Sequence, residues 1–272
     1  MIPFSLCELG NEKLIGNPDY IGEIKSDGER VGVEIDVNGK VTLWNRRGFV
    51  KNASFPEIVE AVGKLKLKDT QMDGEMVLLV DGKDYRIGVQ KRSSSKNTRL
   101  IQNLSRRKPM VYRIFDLLKI NGKDISTSPL SERKHHLNEL LKGETILEYV
   151  PSFEDTKALW DRANKEDLEG LVLKRKDSIY EKNTRSSLWL KVKRFQFTTV
   201  RYNGYETHPK GITLTNAEGH RVSCSGKQHV KVKERIDQQG FADVVIQYLE
   251  MTENGMYYEP SFKGIKRPDF VV

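Results

Sequence analysis

Four β-branched residues at alternate positions, Val31, Val33, Ile35 and Val37, constrain this chain more than any other feature. A side-chain period of two puts all four on one face of a strand. Asn38-Gly39 then supplies a hairpin turn, and Val41 and Leu43 carry the pattern back on a return strand. The chain must therefore build an antiparallel sheet with one buried face. The segment just ahead of this hairpin is rich in charge, so whatever it carries is displayed at the edge of a rigid sheet.

Helical and extended patterns alternate along the next 150 or so residues. Ser54-Phe55-Pro56-Glu57 has capping-box spacing ahead of the stripe Ile58, Val59, Val62 and Leu65. Strands are expected over 72–80, with a turn at Asp81-Gly82 and a return near Tyr85, and over 111–120 up to Asn121-Gly122. Residues 130–141 read as a helix. Ser152-Phe153-Glu154-Asp155 offers a cap for another helix, carrying Ala158, Leu159 and Trp160. Strands follow over 170–174 and 188–192, which makes an α+β pattern. After Phe195 the texture changes. Short strands are expected at 199–205, 212–215, 221–224, 242–249 and 256–262, interrupted by one helix near 230–238. That suits a small Greek-key barrel of the OB type. The expected domains are 1–195 and 196–272.

The composition is that of an ordinary folded chain, 37% hydrophobic and 31% charged. No apolar run approaches the roughly 18 residues of a membrane helix, so no membrane partner is expected. The first residues, Met1-Ile2-Pro3-Phe4-Ser5-Leu6, lack a basic start and a long apolar stretch, so they do not read as a signal peptide. A processed, exported chain would read the same way; the plain expectation is a cytoplasmic protein, or a host-cytoplasmic one for a virus. Two distant cysteines, Cys7 and Cys224, cannot form a zinc spacing by themselves. The net charge of +8 favours an anionic partner. Residues 1–195 hold 36 Lys/Arg against 29 Asp/Glu, and residues 196–272 hold 10 against 9, so the surplus lies in the first segment.

The charged segment ahead of the hairpin is Glu23-Ile24-Lys25-Ser26-Asp27-Gly28-Glu29-Arg30. Alone, Lys-x-Asp-Gly is most often a turn between strands. It is followed in order by Asp73-Gly74-Glu75, Tyr112-Arg113-Ile114-Phe115-Asp116, Glu169-Gly170-Leu171-Val172-Leu173-Lys174 and Ser187-Leu188-Trp189-Leu190-Lys191-Val192-Lys193. Together these resemble the motifs of covalent nucleotidyltransferases, and within them the minimal ATP-dependent DNA ligases. The resemblance covers nearly the whole chain.

The resemblance implies a nucleotidyltransferase domain of ATP-grasp-like antiparallel sheets with helices, followed by a small OB-fold β-barrel. It implies a monomer whose substrates are ATP and nicked duplex DNA, working with Mg2+ or Mn2+. Lys25 would be the nucleophile that takes up AMP. Such an amine must lose its proton, and at an ordinary pKa of about 10.4 almost none is neutral at pH 7. Lys191 and Lys193, two apart on one strand face, would bind triphosphate oxygens and make the surroundings of Lys25 more positive. The family pattern further implies Arg30 at the ribose, Glu75 at its hydroxyl and Phe115 stacked on adenine, though Phe in an apolar strand is more often core. Glu23 and Ile24 would line the adenine pocket and Glu169 would bind the metal, while Asp27 and Asp116 would orient Lys25 or touch the metal.

Asn45-Arg46-Arg47-Gly48 resembles the family's Ser/Thr-Arg-x-Gly element, which puts Arg46, or Arg47 beside it, at the 5′-phosphate of a nick. The last family motif corresponds to residues 262–269, where Lys263, Lys266, Arg267 and Asp269 would orient pyrophosphate; Lys266 stands where arginine is usual. Residues 90–109 hold Lys91, Arg92, Lys96, Arg99, Arg106, Arg107 and Lys108 without one acidic residue. Such a run is commonly a solvated loop, yet it is the densest basic segment and a candidate DNA surface, with Lys91, Arg92, Arg106, Arg107 and Lys108 as contacts. NAD-dependent ligases carry a four-cysteine zinc module that two cysteines cannot build. RNA ligases and capping guanylyltransferases share the lysine motif and are the enzymatic rivals; a non-catalytic binding module is the rival of another class.

Overall fold

In the computed structural model, residues 2–252 and 254–266 are described. The chain forms two compact units, Met1–Val192 and Lys193–Val272. In chain order the first contains β1 (Leu6–Leu9), β2 (Tyr20–Ile24), β3 (Glu29–Ile35), β4 (Val41–Asn45), α1 (Pro56–Lys64), β5 (Thr70–Val77), β6 (Leu79–Val80), β7 (Lys83–Asp84), α2 (Arg86–Ser94), α3 (Thr98–Arg107), β8 (Val111–Ile120), β9 (Lys123–Asp124), α4 (Leu130–Leu140), β10 (Leu147–Tyr149), α5 (Thr156–Lys165), β11 (Gly170–Arg175) and β12 (Arg185–Lys193). The second contains β13 (Gln196–Tyr202), β14 (Gly204–His208), β15 (Gly211–Thr215), β16 (Arg221–Ser225), α6 (Lys227–Gln239), β17 (Ala242–Tyr248) and β18 (Ser261–Ile265).

Two sheets build the first unit. One runs β10-β8-β5-β3-β4, with β9 attached to β8; the other runs β1-β12-β11-β2. The alternating strand behaves as its pattern demands: Val31, Val33 and Ile35 are buried with Leu43, Phe55, Ile58, Val62, Met72 and Met76 in the main core. Val37 departs from it and lies exposed. The turn starts one residue early because the Asp36 carboxylate accepts the N–H groups of Asn38 and Lys40, and Gly39 takes a φ of 86°.

The helix at residue 56 begins with Pro56, not with a capping box. Ser54 Oγ instead donates to the Ser93 carbonyl, and the Glu57 carboxylate accepts from Arg92 and from the Met110 N–H. For α5 the cap is Asp155, which accepts from Lys157 and Ala158 N–H. The basic run at 90–109, the candidate DNA surface, is largely helical: it includes the end of α2 and all of α3, with Asn97 capping α3.

In the second unit, β13-β17-β18 and β14-β15-β16 form two three-stranded sheets. β13 and β14 are separated only by Asn203, β16 packs beside β18, and α6 lies between β16 and β17 in sequence. Val200, Tyr202, Ile212, Leu214, Val222, Val244 and Ile246 fill the interior. This small β-rich unit with one helix follows the strand pattern expected from sequence, with two shifts. The strand expected at 199–205 is two strands, and the last strand is Ser261–Ile265, since Tyr257 makes only an isolated bridge to Met251.

Candidate active site

A cavity of about 830 Å3 opens in the first unit, lined from both of its sheets and from α2. Strand register places the nucleophile candidate on its wall. Ile24, the last residue of β2, pairs with Leu171 of β11, and the Lys25 N–H donates to the Gly170 carbonyl at 2.9 Å. Lys25 is thereby set beside Glu169, and its Nζ lies 2.5 Å from Glu169 Oε2. Gly28 permits the tight passage that follows, because a Cβ there would fall 1.9 Å from the Met76 carbonyl oxygen.

The charges around Lys25 have the opposite effect from the one the lysine pair suggested. Burial pulls the pKa of the Lys25 ammonium down, but Glu169, Glu75 and Asp27 together outweigh it and hold it above the usual lysine range. Glu75 lies opposite Arg30 across β3 and β5. Burial pushes its carboxyl up to about 8 against the pull of Lys25 and Arg30.

Lys191 lines the cavity, whereas Lys193 belongs to the second unit and pairs with Glu259 at 2.7 Å. Arg30 lines the cavity but is already held, with Nε 3.1 Å and Nη2 2.6 Å from the Asp73 carboxylate. Its guanidinium lies between the rings of Phe4 and Phe115, about equally far from each. Phe115 lines the cavity and meets Trp189 edge to face.

Two acidic residues are committed elsewhere. Asp116 is fully buried and bound by Arg133 through both oxygens, at 2.8 and 2.9 Å. It does not line the cavity, and both of its oxygens are taken by Arg133, an arrangement that serves the core. The Glu23 side chain, also buried, joins Lys134 at 2.7 Å to Lys174 at 2.8 Å. Glu23 and Ile24 do line the cavity, but the Glu23 carboxylate is a structural hub.

Asp27 is held through both its backbone and its carboxylate. Its N–H donates to Asp84 Oδ2 at 2.9 Å, and Arg113 Nη1 reaches Asp84 at 2.7 Å and Ser26 Oγ at 3.3 Å. Arg86 pairs with Asp27 at 3.3 Å. Asp84, Arg86 and Arg113 thus brace the loop that carries Lys25. Asp84 gives no sequence signal because β7 is a two-residue strand, and Arg86 and Arg113 act through partners that only the fold brings near. Lys174 and Trp189 stand within the ordered motifs but have no role in the sequence pattern. Both line the cavity, with Lys174 Nζ 4.1 Å from the Trp189 ring centre.

The cavity wall also includes Arg46, Arg47, Phe49, Lys51, Arg86, Gln90, Ser93 and Ser94, which are mostly basic or polar. Lys91, Arg106, Arg107 and Lys108 are exposed on α2 and at the end of α3. Arg92 is not available to DNA. It is buried, donates to the Ser54 and Lys108 carbonyls and pairs with Glu57. In the last motif, Lys263 lies on β18 and the Lys266 N–H donates to the Asp243 carbonyl; Arg267 and Asp269 lie outside the described residues.

Comparison with known proteins places the chain in a family. Residues 9–193 match the family described as ATP dependent DNA ligase domain. The chain is 27% identical over 263 residues to a prophage-derived DNA ligase-like protein of Bacillus subtilis, covering 90% of this chain and 92% of that one. It is 31% identical to a DNA ligase of Thermococcus fumicolans over 195 residues, 70% of this chain but 34% of the larger enzyme. The fold is similar to that of a Lig E DNA ligase, with a TM-score of 0.70 at 15% identity over 98% of this chain and 100% of that one. It is also similar to the ligase domain of M. tuberculosis LigD, with a TM-score of 0.59 at 23% identity over 99% and 96%. The matched segment contains Lys25, Glu75, Phe115, Glu169 and Lys191, and on that match the chain belongs to the ATP-dependent DNA ligase family.

Proposed function

We propose that this chain seals nicks bearing a 5′-phosphate and a 3′-hydroxyl in duplex DNA, using ATP and a covalent lysyl-AMP on Lys25. The observation that carries the reading is Lys25 on the cavity wall, its ammonium against Glu169, with Arg30, Glu75, Phe115 and Lys191 around the same space. In the first step Lys25 Nζ bonds to the α-phosphorus of ATP and pyrophosphate leaves. AMP then passes to the 5′-phosphate of the nick, and the 3′-hydroxyl attacks that phosphate and releases AMP.

Lys25 is held as a cation, so its ion pair with Glu169 must open and its proton must leave before it attacks. Lys191 supplies positive charge to phosphate oxygens. Phe115 offers its face to the base, and Glu75, largely neutral when its pKa is near 8, can donate a hydrogen bond to the ribose.

A divalent cation fits the donor chemistry. Among the described residues no three His, Cys, Asp or Glu side chains form a ready cage. The carboxylate beside Lys25 is Glu169, and Mg2+ characteristically combines one or two carboxylates with phosphate oxygens and water. Glu169 would hold Mg2+ or Mn2+, which would offset charge on the transferring phosphoryl group.

Arg46 and Arg47, exposed and lining the cavity, suit the 5′-phosphate, and Lys91, Arg106, Arg107 and Lys108 suit the flanking backbone. We read the protein as a monomer and as cytoplasmic, the second supported by its two free thiols; among the described residues no helix is long and apolar enough to cross a membrane. Incubation with ATP and Mg2+ should add one AMP to a peptide containing Lys25, and the Lys25→Ala protein should stay unmodified. Nicked DNA, nicked RNA and GTP offered separately test the substrate: sealing of nicked RNA alone, or labelling by GTP alone, refutes the reading.

A further inference from the structure

Between β4 and Lys51 the chain makes a turn, 45–50, that is held unusually firmly for a surface loop. The Asn45 side-chain oxygen accepts the N–H groups of Arg47 and Phe49, both at 3.0 Å. Asn45 N–H donates to the Phe49 carbonyl and Gly48 N–H to the Asn45 carbonyl. Gly48 takes a φ of 80°, a conformation that suits glycine. Lys51 anchors the exit, with its N–H on the Leu43 carbonyl and its Nζ 2.6 Å from Ser93 Oγ. Nothing in this turn calls for an aromatic residue, yet Phe49 stands in it 62% exposed, with Val50 beside it 54% exposed. Isolated exposed apolar residues are commonplace. An apolar pair on a pinned turn, preceded by Arg46 and Arg47, with Phe49 lining the cavity beside Arg46, Arg47, Arg86 and Lys51, is a more specific arrangement.

We propose that Phe49 is the residue that reads the nick: its ring stacks on the base-pair face that a strand break leaves open. The inference rests on the ligase reading above and deepens it. The partner follows from the surroundings. Arg46 and Arg47 attract a polyanion and set its backbone against the turn, so the next side chain to meet the duplex is the Phe49 ring. In an intact duplex every base pair is stacked on both sides and a ring must pay to separate them. At a nick the backbone is cut on one strand, so the stack opens more readily and one face can be covered by an aromatic ring. Stacking of this kind tolerates any base sequence, as a nick sealer requires. Because Asn45 and Gly48 hold the turn, little conformational freedom is lost on contact.

The test uses the full chain, pre-adenylated, with duplexes of one sequence that are either nicked or intact and carry 2-aminopurine beside the nick position. Phe49→Ala should weaken binding to nicked duplex about tenfold, in the range of one aromatic–base stack. It should leave binding to intact duplex and the salt slope unchanged, and it should abolish the 2-aminopurine change. Phe49→Trp should restore discrimination and show quenched indole fluorescence on the nicked duplex only. Arg46→Ala, in contrast, should lower the salt slope. Equal weakening on both duplexes, or undiminished discrimination by Phe49→Ala, overturns the proposal while leaving the ligase reading standing if the wild type still seals. A wild type that neither forms lysyl-AMP nor seals overturns both.

Discussion

Replacing Asp116 with alanine separates a structural role from a catalytic one. The carboxylate and the Arg133 guanidinium are both fully buried, and Arg133 Nε and Nη2 grip its two oxygens at 2.8 and 2.9 Å. Arg133 spends Nη1 on the Ser128 and Ser178 carbonyls. The variant would leave a guanidinium with only carbonyl partners in a site closed to water. Breaking such a pair from one side costs about 3–5 kcal/mol, much more than the pair adds when whole. For a unit of this size each kcal/mol lowers Tm by roughly 2–4 °C, so a fall of about 6–20 °C is expected. Calorimetry of the wild type and Asp116→Ala measures it, with lysyl-AMP formation followed well below both transitions. The molecules still folded should adenylate at near the wild-type rate with the same Mg2+ dependence. Replacing both partners by apolar residues of similar volume should recover much of the lost stability. An unchanged Tm with slow adenylation and an altered metal dependence would refute the reasoning and put Asp116 at the metal.

Three further outcomes follow from the geometry. Glu75 has its pKa raised from an ordinary 4.5 to about 8, so folding favours its protonated form; its contribution is best below about 4.5, declines through that window and is lost above about 8. Glu75→Gln should therefore flatten the stability–pH curve between those values and stabilise the ATP-free protein at pH 8, as denaturant titration at several pH values will show; an unchanged curve refutes it. Asp84→Ala should slow lysyl-AMP formation at least tenfold by loosening the Lys25 loop, with Asp84→Asn partly rescuing it because an amide oxygen can still accept the Asp27 N–H; equal rates for all three proteins rule out the brace. Changing Arg106, Arg107 and Lys108 together to alanine should weaken nick binding and flatten the salt slope by about 2–3, at roughly 0.9 per phosphate contact; equal slopes make this end of α3 a solvated surface only.

The sequence was most readable where the physics is local. An alternating strand needs only neighbours two residues apart to declare its buried face, which is why Val31, Val33 and Ile35 were placed correctly and only the turn at Asp36 moved the boundary. Ordered motifs likewise pointed to Lys25, Glu169, Glu75, Phe115 and Lys191, which line or adjoin one cavity. The basic run was harder. Lys91, Arg106 and Arg107 look alike in sequence to Arg92, yet Arg92 turns inward because Glu57 and two carbonyls happen to meet it.

What the sequence by itself determined was the strand pattern, the change of texture near residue 195 and the family to which the lysine motif belongs. What only the tertiary structure decided was which charges pair. Asp116 finds Arg133 across a strand and a helix, and Glu23 finds Lys134 and Lys174 more than a hundred residues away. Lys25 meets Glu169 only because β2 and β11 lie in one register. A charged side chain has no periodicity that names its partner. Its role is set by the nearest opposite charge and the water left between them, and both are properties of the folded chain.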